Sequence, residues 1–399
     1  MEKQTAIKCG CLIDGTGISI KADAVIILEG AIIKKIGTAA DIPTAADIVD
    51  VSGMTVMPGL IDAHMHYQGD ARGMFRIIPH ELRLLQVLGS AKKLLSMGYT
   101  TTRDCGSRNG IVLRDAAKYG FINSVPRIVA SGFIVAPTNN GVDDPASPQY
   151  ATDARTYPHT GEFLIADGVG EMLRAARMAI RSGADFIKIF NSGHFAYKHC
   201  PNTVTFFTYD ELNAVVEVAT KANKVVAAHC MCDAAVRQCL ECGVKIIEHA
   251  CGISAETAAM GAERGAVFTS VLMFNSMVMD PREFEKVGES YRILRKAGAT
   301  VAAGTDLNGT REFPLGTNAG ELEMLVRYSD FTTMDAIVSA TKNAAAACGI
   351  DSFTGTLEVG KQGDIIIVDG DPLTDITCLR NPDAIKKVYL AGVLEVDRA

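Results

Sequence analysis

No stretch of this sequence is basic enough to bind a polyanion or apolar enough to enter a bilayer. Short Lys/Arg-rich blocks are absent, and 39 basic residues against 46 acidic ones leave a net charge of −7. Nucleic acid and anionic membranes require a basic face, so neither is an expected partner. No apolar run reaches the ~18–20 residues that span a bilayer. The opening Met1-Glu-Lys-Gln-Thr5 lacks the charged-then-apolar pattern of a secretion signal, so the expected location is cytoplasmic. A second Cys-x-x-Cys is also missing. Cys239-Leu-Glu-Cys242 stands alone and cannot complete a four-thiolate zinc site. It closes a helix-like stretch, whereas a redox pair sits at a helix start, where the dipole lowers a thiol pKa. The spaced pairs Cys9/Cys11 and Cys230/Cys232 are read, with the rest of the 11 cysteines, as reduced thiols that pack as small apolar side chains.

The 399 residues and 48% hydrophobic content suit one large domain and a smaller one. Residues 1–57 alternate β-branched runs with glycine ("DAVIILEGAIIKKIG", "DIVDVSGMTVMPG"), as in antiparallel hairpins, and the end of the chain has the same texture ("GDIIIVDGDPL", "IKKVYLAGVLEV"). The two ends are expected to combine into one small all-β domain, from segments 1–57 and 350–399. Between them, over 58–349, eight apolar runs alternate with helix-like stretches: 60–67, 98–106, 127–135, 184–192, 225–231, 245–252, 266–272 and 300–306. Thr208 followed by Glu211 has the spacing of a capping box. This pattern predicts an α/β fold, a closed parallel (β/α)8 TIM barrel.

Barrel chemistry gathers at the C-terminal strand ends, and those ends carry polar residues. "PGLIDAHMHY" (58–67) places Asp62, His64 and His66 on one face of its strand. Lys188 lies between Phe186 and Phe190 on one face of the fourth run, and His229, His249 and Asp306 end the fifth, sixth and eighth. One strand histidine alone is most often a hydrogen-bonded core residue. Lys188 alone could pair with a buried acid, and Asp306 could cap a helix. Six such residues converging on one barrel mouth point instead to a metal site, because buried charges must be paired or bound to metal. Imidazole and carboxylate suit a pair of divalent ions, with zinc the default and manganese or iron using the same ligand types. Burial favours the neutral, nucleophilic amine of a lysine. Such an amine can add CO2, giving a carbamate whose two oxygens bridge two metals.

On these residues the sequence resembles the metal-dependent amidohydrolase superfamily. "PGLIDAHMH", "GADFIKIF" around Lys188, the strand-end His229 and His249, "GTD" at Asp306 and the closing "SATKNAAAACGIDSFTGTLEVGKQGDIIIVDGDPL" are similar to its imidazolonepropionase-like and Xaa-Pro dipeptidase-like branch. The resemblance implies His64, His66 and Asp306 on one metal, His229 and His249 on the other, and carboxylated Lys188 bridging both. It also implies a small β-sandwich from the two terminal segments, a bridging hydroxide as the nucleophile and Asp306 as general base and acid, while Asp62, on the same strand face one step deeper, is expected to orient the paired histidines. The implied reaction is hydrolysis of an amide or peptide C–N bond in a dipeptide, an N-acyl amino acid or a cyclic amide. Alternatives are an imidazolonepropionase-like ring opening, deamination of a heterocycle, or a non-catalytic scaffold. The lysine at the fourth strand speaks against deamination, and the complete ligand set against the scaffold.

Three mouth loops depart from the branch. The loop after Lys188 reads Asn191-Ser-Gly-His194 where relatives carry Ser-Gly-Gly-Val. Segment 136–167 lacks the Gly-Gly-His-Gly-Asp-like stretch of many relatives and is long enough to be a lid, and "LNGTREFPLG" after Asp306 lacks their histidine. His159, His194, Tyr197 and Arg311 are the candidate substrate contacts, with His199 beside them and Arg311 suited to a carboxylate. His80 is expected to be structural. Arg103 and Cys105, ending the second run, are placed near the pocket, with Cys105 a packing residue. The expected partner is a small-molecule substrate, with homo-oligomer formation left open.

Overall fold

The β-branched runs at the two ends of the chain become strands of one sheet. The computed structural model describes residues 4–18, 20–70, 78–140, 143, 153–154, 162–193 and 200–398. Strands β1 (Gln4–Ile13), β2 (Ile20–Ala22), β3 (Val25–Glu29), β4 (Ile32–Gly37) and β5 (Asp47–Pro58) join three from the other end, β16 (Ile365–Val368), β17 (Ile385–Leu390) and β18 (Val393–Asp397). Their order is β18-β17-β16-β5-β1-β3-β4, with β2 on β1. One pairing differs from the hairpin expectation. β1 and β5 run parallel, Thr5 opposite Asp47 and Leu12 opposite Val56. The intervening β3–β4 hairpin supplies the long crossover that a parallel pair requires. Ile7, Leu12, Ile26, Val56, Ile365 and Ile367 from both ends share one apolar cluster.

The middle of the chain is mixed α/β. Strands β6 (Leu60–Met65), β7 (Tyr99–Asp104) and β8 (Arg127–Ala130) form one parallel sheet. Strands β9 (Ile134–Ala136), β10 (Phe163–Ile165), β11 (Ile187–Phe190), β12 (Val226–Cys230), β13 (Ile246–His249), β14 (Val267–Ser270) and β15 (Thr300–Ala303) form a second, in the order β10-β9-β11-β12-β13-β14-β15. Each of the eight apolar runs contains a strand. Burial on both faces, as in β6 and β11 to β14, explains why the runs are continuously apolar rather than alternating. The third run is the exception, because it breaks into β8 and β9. Gly132, at φ +69°, turns the chain between them in a conformation that β-branched residues avoid.

Helices follow the strands: α1 (His80–Ser96), α2 (Arg108–Lys118), α3 (Gly168–Arg181), α4 (Tyr209–Lys221), α5 (Asp233–Glu241), α6 (Ala255–Glu263), α7 (Leu272–Val278), α8 (Pro281–Lys296), α9 (Gly320–Tyr328), α10 (Thr333–Val338) and α11 (Ala344–Cys348). Thr208 and Glu211 make the expected capping box at α4. Cys242 caps the C-terminus of α5, the wrong end for a reactive thiol, and burial pushes it up to about 11. Among the described residues, no helix is long and apolar enough to cross a membrane.

Two sets of backbone bonds link the parallel sheets. Asp185 N–H donates to Ala130 O (2.8 Å), and Thr305 and Asp306 N–H both donate to His64 O (2.9 and 2.7 Å). Asp62 reinforces the second link. Its carboxylate accepts from His64 N–H (3.0 Å), Thr305 N–H (3.2 Å), the Thr305 hydroxyl (2.7 Å) and Asn318 Nδ2–H (2.6 Å). The approach leaves no room at Gly304, where a Cβ would stand 2.5 Å from His64 Cβ and 2.7 Å from His64 N. Gly304→Ala should therefore cost roughly 1–3 kcal/mol of stability, as overpacking does. Denaturant unfolding checks this, and an unchanged midpoint would mean that β15 does not press on β6.

Candidate metal centre

Parallel strands deliver their C-terminal ends to one edge, and these ends open on one cavity. His64, His66, Lys188, His229, His249 and Asp306 all line it. The structure therefore brings together all six residues singled out as ligands. His64 Nε2 and His66 Nε2 lie 3.4 and 3.1 Å from Asp306 Oδ1. The His64 and His249 ring centroids are 5.0 Å apart and those of His229 and His249 4.4 Å. Phe190 stacks on His229 at 3.8 Å with 10° between the planes, fixing that imidazole from one side.

His249 and Asp306 adopt left-handed backbone, φ +69° and +58°. Non-glycine residues rarely do so, and such strain concentrates at functional sites. At His249 the turn also breaks strand alternation, so that neighbouring Glu248 and His249 both reach His64.

Glu248 is a site residue that sequence reasoning missed. It is fully buried, accepts from His64 Nδ1–H (2.8 Å) through one oxygen and from Arg103 Nη1–H (2.7 Å) through the other. Arg103 is equally buried, donates also to Ala63 O (3.0 Å) and lies 3.9 Å over the Phe186 ring. It thus stands behind the cavity wall rather than in it. Cys105 packs beside them, and burial holds its thiol well above the usual range. Asp62, expected to orient the imidazoles, instead accepts from the His64 backbone N–H and the Thr305 and Asn318 donors. An aspartate two residues before a peptide N–H closes a local turn more readily than it reaches a ring. The orienting role belongs to Glu248.

These contacts set the charges. Burial works to raise the carboxyls of Asp306 and Glu248, but His64 and His66 hold Asp306 well below the carboxylate range, and Arg103, His64 and Lys188 do the same for Glu248. Burial lowers His249 strongly, so its imidazole is neutral. Burial also works against the His66 imidazolium, yet the Asp306 hydrogen bond and charge outweigh it and raise that group. Glu248 meets His64 on its Nδ1 side, and His64 Nε2 faces Asp306 Oδ1 across 3.4 Å. His64, His249 and Asp306 place ligand atoms within 4.8 Å of one another. The buried Nδ1 atoms of His66 and His249 have no hydrogen-bond partner among the described residues. Lys188 is 2% exposed and forms no ion pair with an acid among the described residues. The donor set fits divalent metal.

The other candidates fall elsewhere. His159, His194, Tyr197 and His199 lie outside the described residues, as does most of segment 136–167. Arg311 is 88% exposed, 3.5 Å from Asp70, and does not line the cavity. His80 opens α1. Asn191 and Ser192 of the departing loop are structural: Asn191 Nδ2–H donates to Gln238 Oε1 (3.0 Å), and the Ser192 hydroxyl accepts from Met231 N–H (2.7 Å). Glu162 on the cavity wall was also missed, since it lies in a loop without periodicity. Burial pushes it up to about 7, opposed by Gln68 and His66.

Comparison with known proteins agrees with this geometry. The family model for "Amidohydrolase family" matches residues 55–394. Ochratoxinase of Aspergillus niger is 30% identical, covering 98% of this chain and 86% of that protein. Imidazolonepropionase of Thermoplasma volcanium is 26% identical over 94% of this chain and 91% of its own. The crystal structure of A. niger ochratoxinase superposes with a TM-score of 0.91 at 28% identity, covering 100% and 97%. A prolidase complexed with N-methylphosphonate-L-proline gives 0.86 at 27%, covering both chains fully.

The Arg103–Glu248 pair carries a direct expectation. Glu248→Gln keeps the shape but strands a buried guanidinium, so it should cost about 3–5 kcal/mol in denaturant unfolding. A loss below ~1 kcal/mol, the usual worth of an exposed pair, would contradict the buried ion pair.

Proposed function

The chain belongs to the amidohydrolase superfamily, in its Xaa-Pro dipeptidase-like and imidazolonepropionase-like branch, and from that premise we propose a two-metal hydrolase of a small amide or peptide. It is a hydrolase of C–N bonds. The observation that carries the two-metal reading is Lys188: a buried lysine with no acid paired to it among the described residues, in a cavity shared with four histidines and Asp306. A carbamate formed from its Nζ and CO2 would put a bidentate anion where a buried amine has no acidic partner among the described residues.

The two parallel sheets are, in this reading, arcs of one eight-stranded barrel over 58–349. The bonds from Asp185 to Ala130 and from Thr305 and Asp306 to His64 support it. In the same reading segments 1–57 and 350–399 would fold their one sheet into a β-sandwich, which their shared apolar cluster supports.

His64, His66 and Asp306 would hold one divalent ion, His229 and His249 the other, with carboxylated Lys188 between them. Zinc is the default, and manganese or iron suits the same donors. Such ions supply Lewis-acid polarisation of the scissile carbonyl and acidify water toward neutrality. The protein's own part is proton handling and orientation. Asp306, kept anionic by His64 and His66, takes a proton from the attacking water and hands it to the departing nitrogen. Glu248 fixes the His64 tautomer, so that Nε2 faces the cavity. The substrate is a dipeptide, an N-acyl amino acid or a cyclic amide. His159, His194 and Tyr197 are candidate contacts on sequence grounds alone, and Arg311, exposed beside Asp70, would have to turn from it to meet a substrate carboxylate. The relation to imidazolonepropionase favours the cyclic amide as the second reading.

Metal-reconstituted protein screened against dipeptides, N-acyl amino acids and cyclic amides, with free amine and ammonia measured separately, decides the reaction class. Amine release or ring opening is expected, and ammonia alone from an aminated heterocycle would establish a deaminase instead. Asp306→Asn should retain most of the metal while kcat falls by about 10²–10⁴, and near-wild-type turnover would remove Asp306 from proton transfer. Arg311→Ala should raise KM for a carboxylate-bearing substrate at constant metal content. An unchanged KM would return Arg311 to the solvated surface.

A further inference from the structure

The cavity holds one acidic group that neither metal binding nor proton transfer uses. Glu162 is half-buried on the wall, and its backbone is fixed by Ile134 N–H donating to Glu162 O (2.9 Å). Its carboxylate accepts from Gln68 Nε2–H. Among the described residues no Lys or Arg forms an ion pair with it. Its surroundings are apolar: Ile134, Phe163 and Phe190 share the wall, the two rings edge to face at 6.1 Å. Nearby Asp104 adds negative potential, and His66 and Arg83 offset part of it. A carboxylate in such a wall is incompletely compensated, which is costly unless a ligand supplies the counter-charge. Its displacement toward neutral pH by burial is the effect that an adjacent cation would reverse.

We propose that Glu162, steadied by Gln68, is a recognition site for a substrate ammonium group, with the apolar part of the same acyl unit lying against Phe163 and Phe190. This deepens the hydrolase reading and rests on it. Among the three substrate classes it selects aminoacyl amides, such as dipeptides with a free amino terminus, over N-acyl amino acids. The former present an ammonium beside the scissile carbonyl, and the latter have none.

The test pairs ligands that differ only in the amine. Metal-reconstituted wild type and Glu162→Gln are assayed with Phe-Ala and with 3-phenylpropanoyl-Ala. The expected wild-type preference in kcat/KM for Phe-Ala is about tenfold or more, the worth of one charge-assisted hydrogen bond, and it should fall to about one- to twofold in Glu162→Gln. Calorimetric binding of phenylalaninol against 3-phenyl-1-propanol repeats the comparison without hydrolysis, and circular dichroism with metal content confirms that the variant is folded and loaded. If neither peptide is cleaved but phenylalaninol still binds more tightly in a Glu162-dependent way, the hydrolase reading fails and the ammonium site stands. Equal binding of the two alcohols to wild type, or a preference that survives Glu162→Gln, overturns the site.

Discussion

The four hydrogen bonds accepted by Asp62 are the constraint on which the rest of the site depends. A single carboxylate, 1% exposed, gathers donors from β6, from the turn after β15 and from Asn318. It thereby fixes His64 and Asp306 relative to each other, although it touches neither functional group. The ends of the first and last strands of the eight apolar runs are chemically one unit, held by backbone and Asp62 together. Gly304 is needed because this close approach leaves no space for a side chain.

Behind that closure lies a second layer of charge. Arg103 pairs with Glu248, which holds the His64 ring, so that a chain of three buried groups ends with His64 Nε2 facing Asp306. Buried charges are tolerated when paired and hydrogen-bonded, and up to His64 this chain is. Beyond it the balance is incomplete: Lys188, the buried Nδ1 atoms of His66 and His249 without a partner among the described residues, and the left-handed turns at His249 and Asp306 are local costs that a metal-loaded site would explain. Strain and uncompensated polarity converge on the cavity, while the capped helices and the apolar cluster of the two-ended sheet are locally consistent.

The six cavity residues were legible because each interrupts an apolar strand near its end, where a charged or imidazole side chain has no packing role. The strands themselves were legible for the same reason, as continuous apolar runs. Glu248 was not, since strand alternation sends neighbours to opposite faces and only the φ of +69° at His249 lets both turn inward. Asp62 was placed on the right face with the wrong partners, because sequence spacing does not distinguish a ring nitrogen from a peptide N–H. The third run was read as one strand because nothing but Gly132 marks its break. Glu162 and β10 emerged from a segment with no periodicity to read. The parallel β1–β5 pair could not be inferred from composition, since hairpins and crossovers use the same β-branched residues.

The two-metal hydrolase proposal requires Lys188 to join two ions in one site. Metal content per chain, measured after reconstitution with a divalent ion with and without bicarbonate, tests it most directly. Two ions per chain with bicarbonate, falling in its absence and in Lys188→Ala, is the predicted result. One ion per chain, indifferent to bicarbonate and to Lys188→Ala, would contradict it.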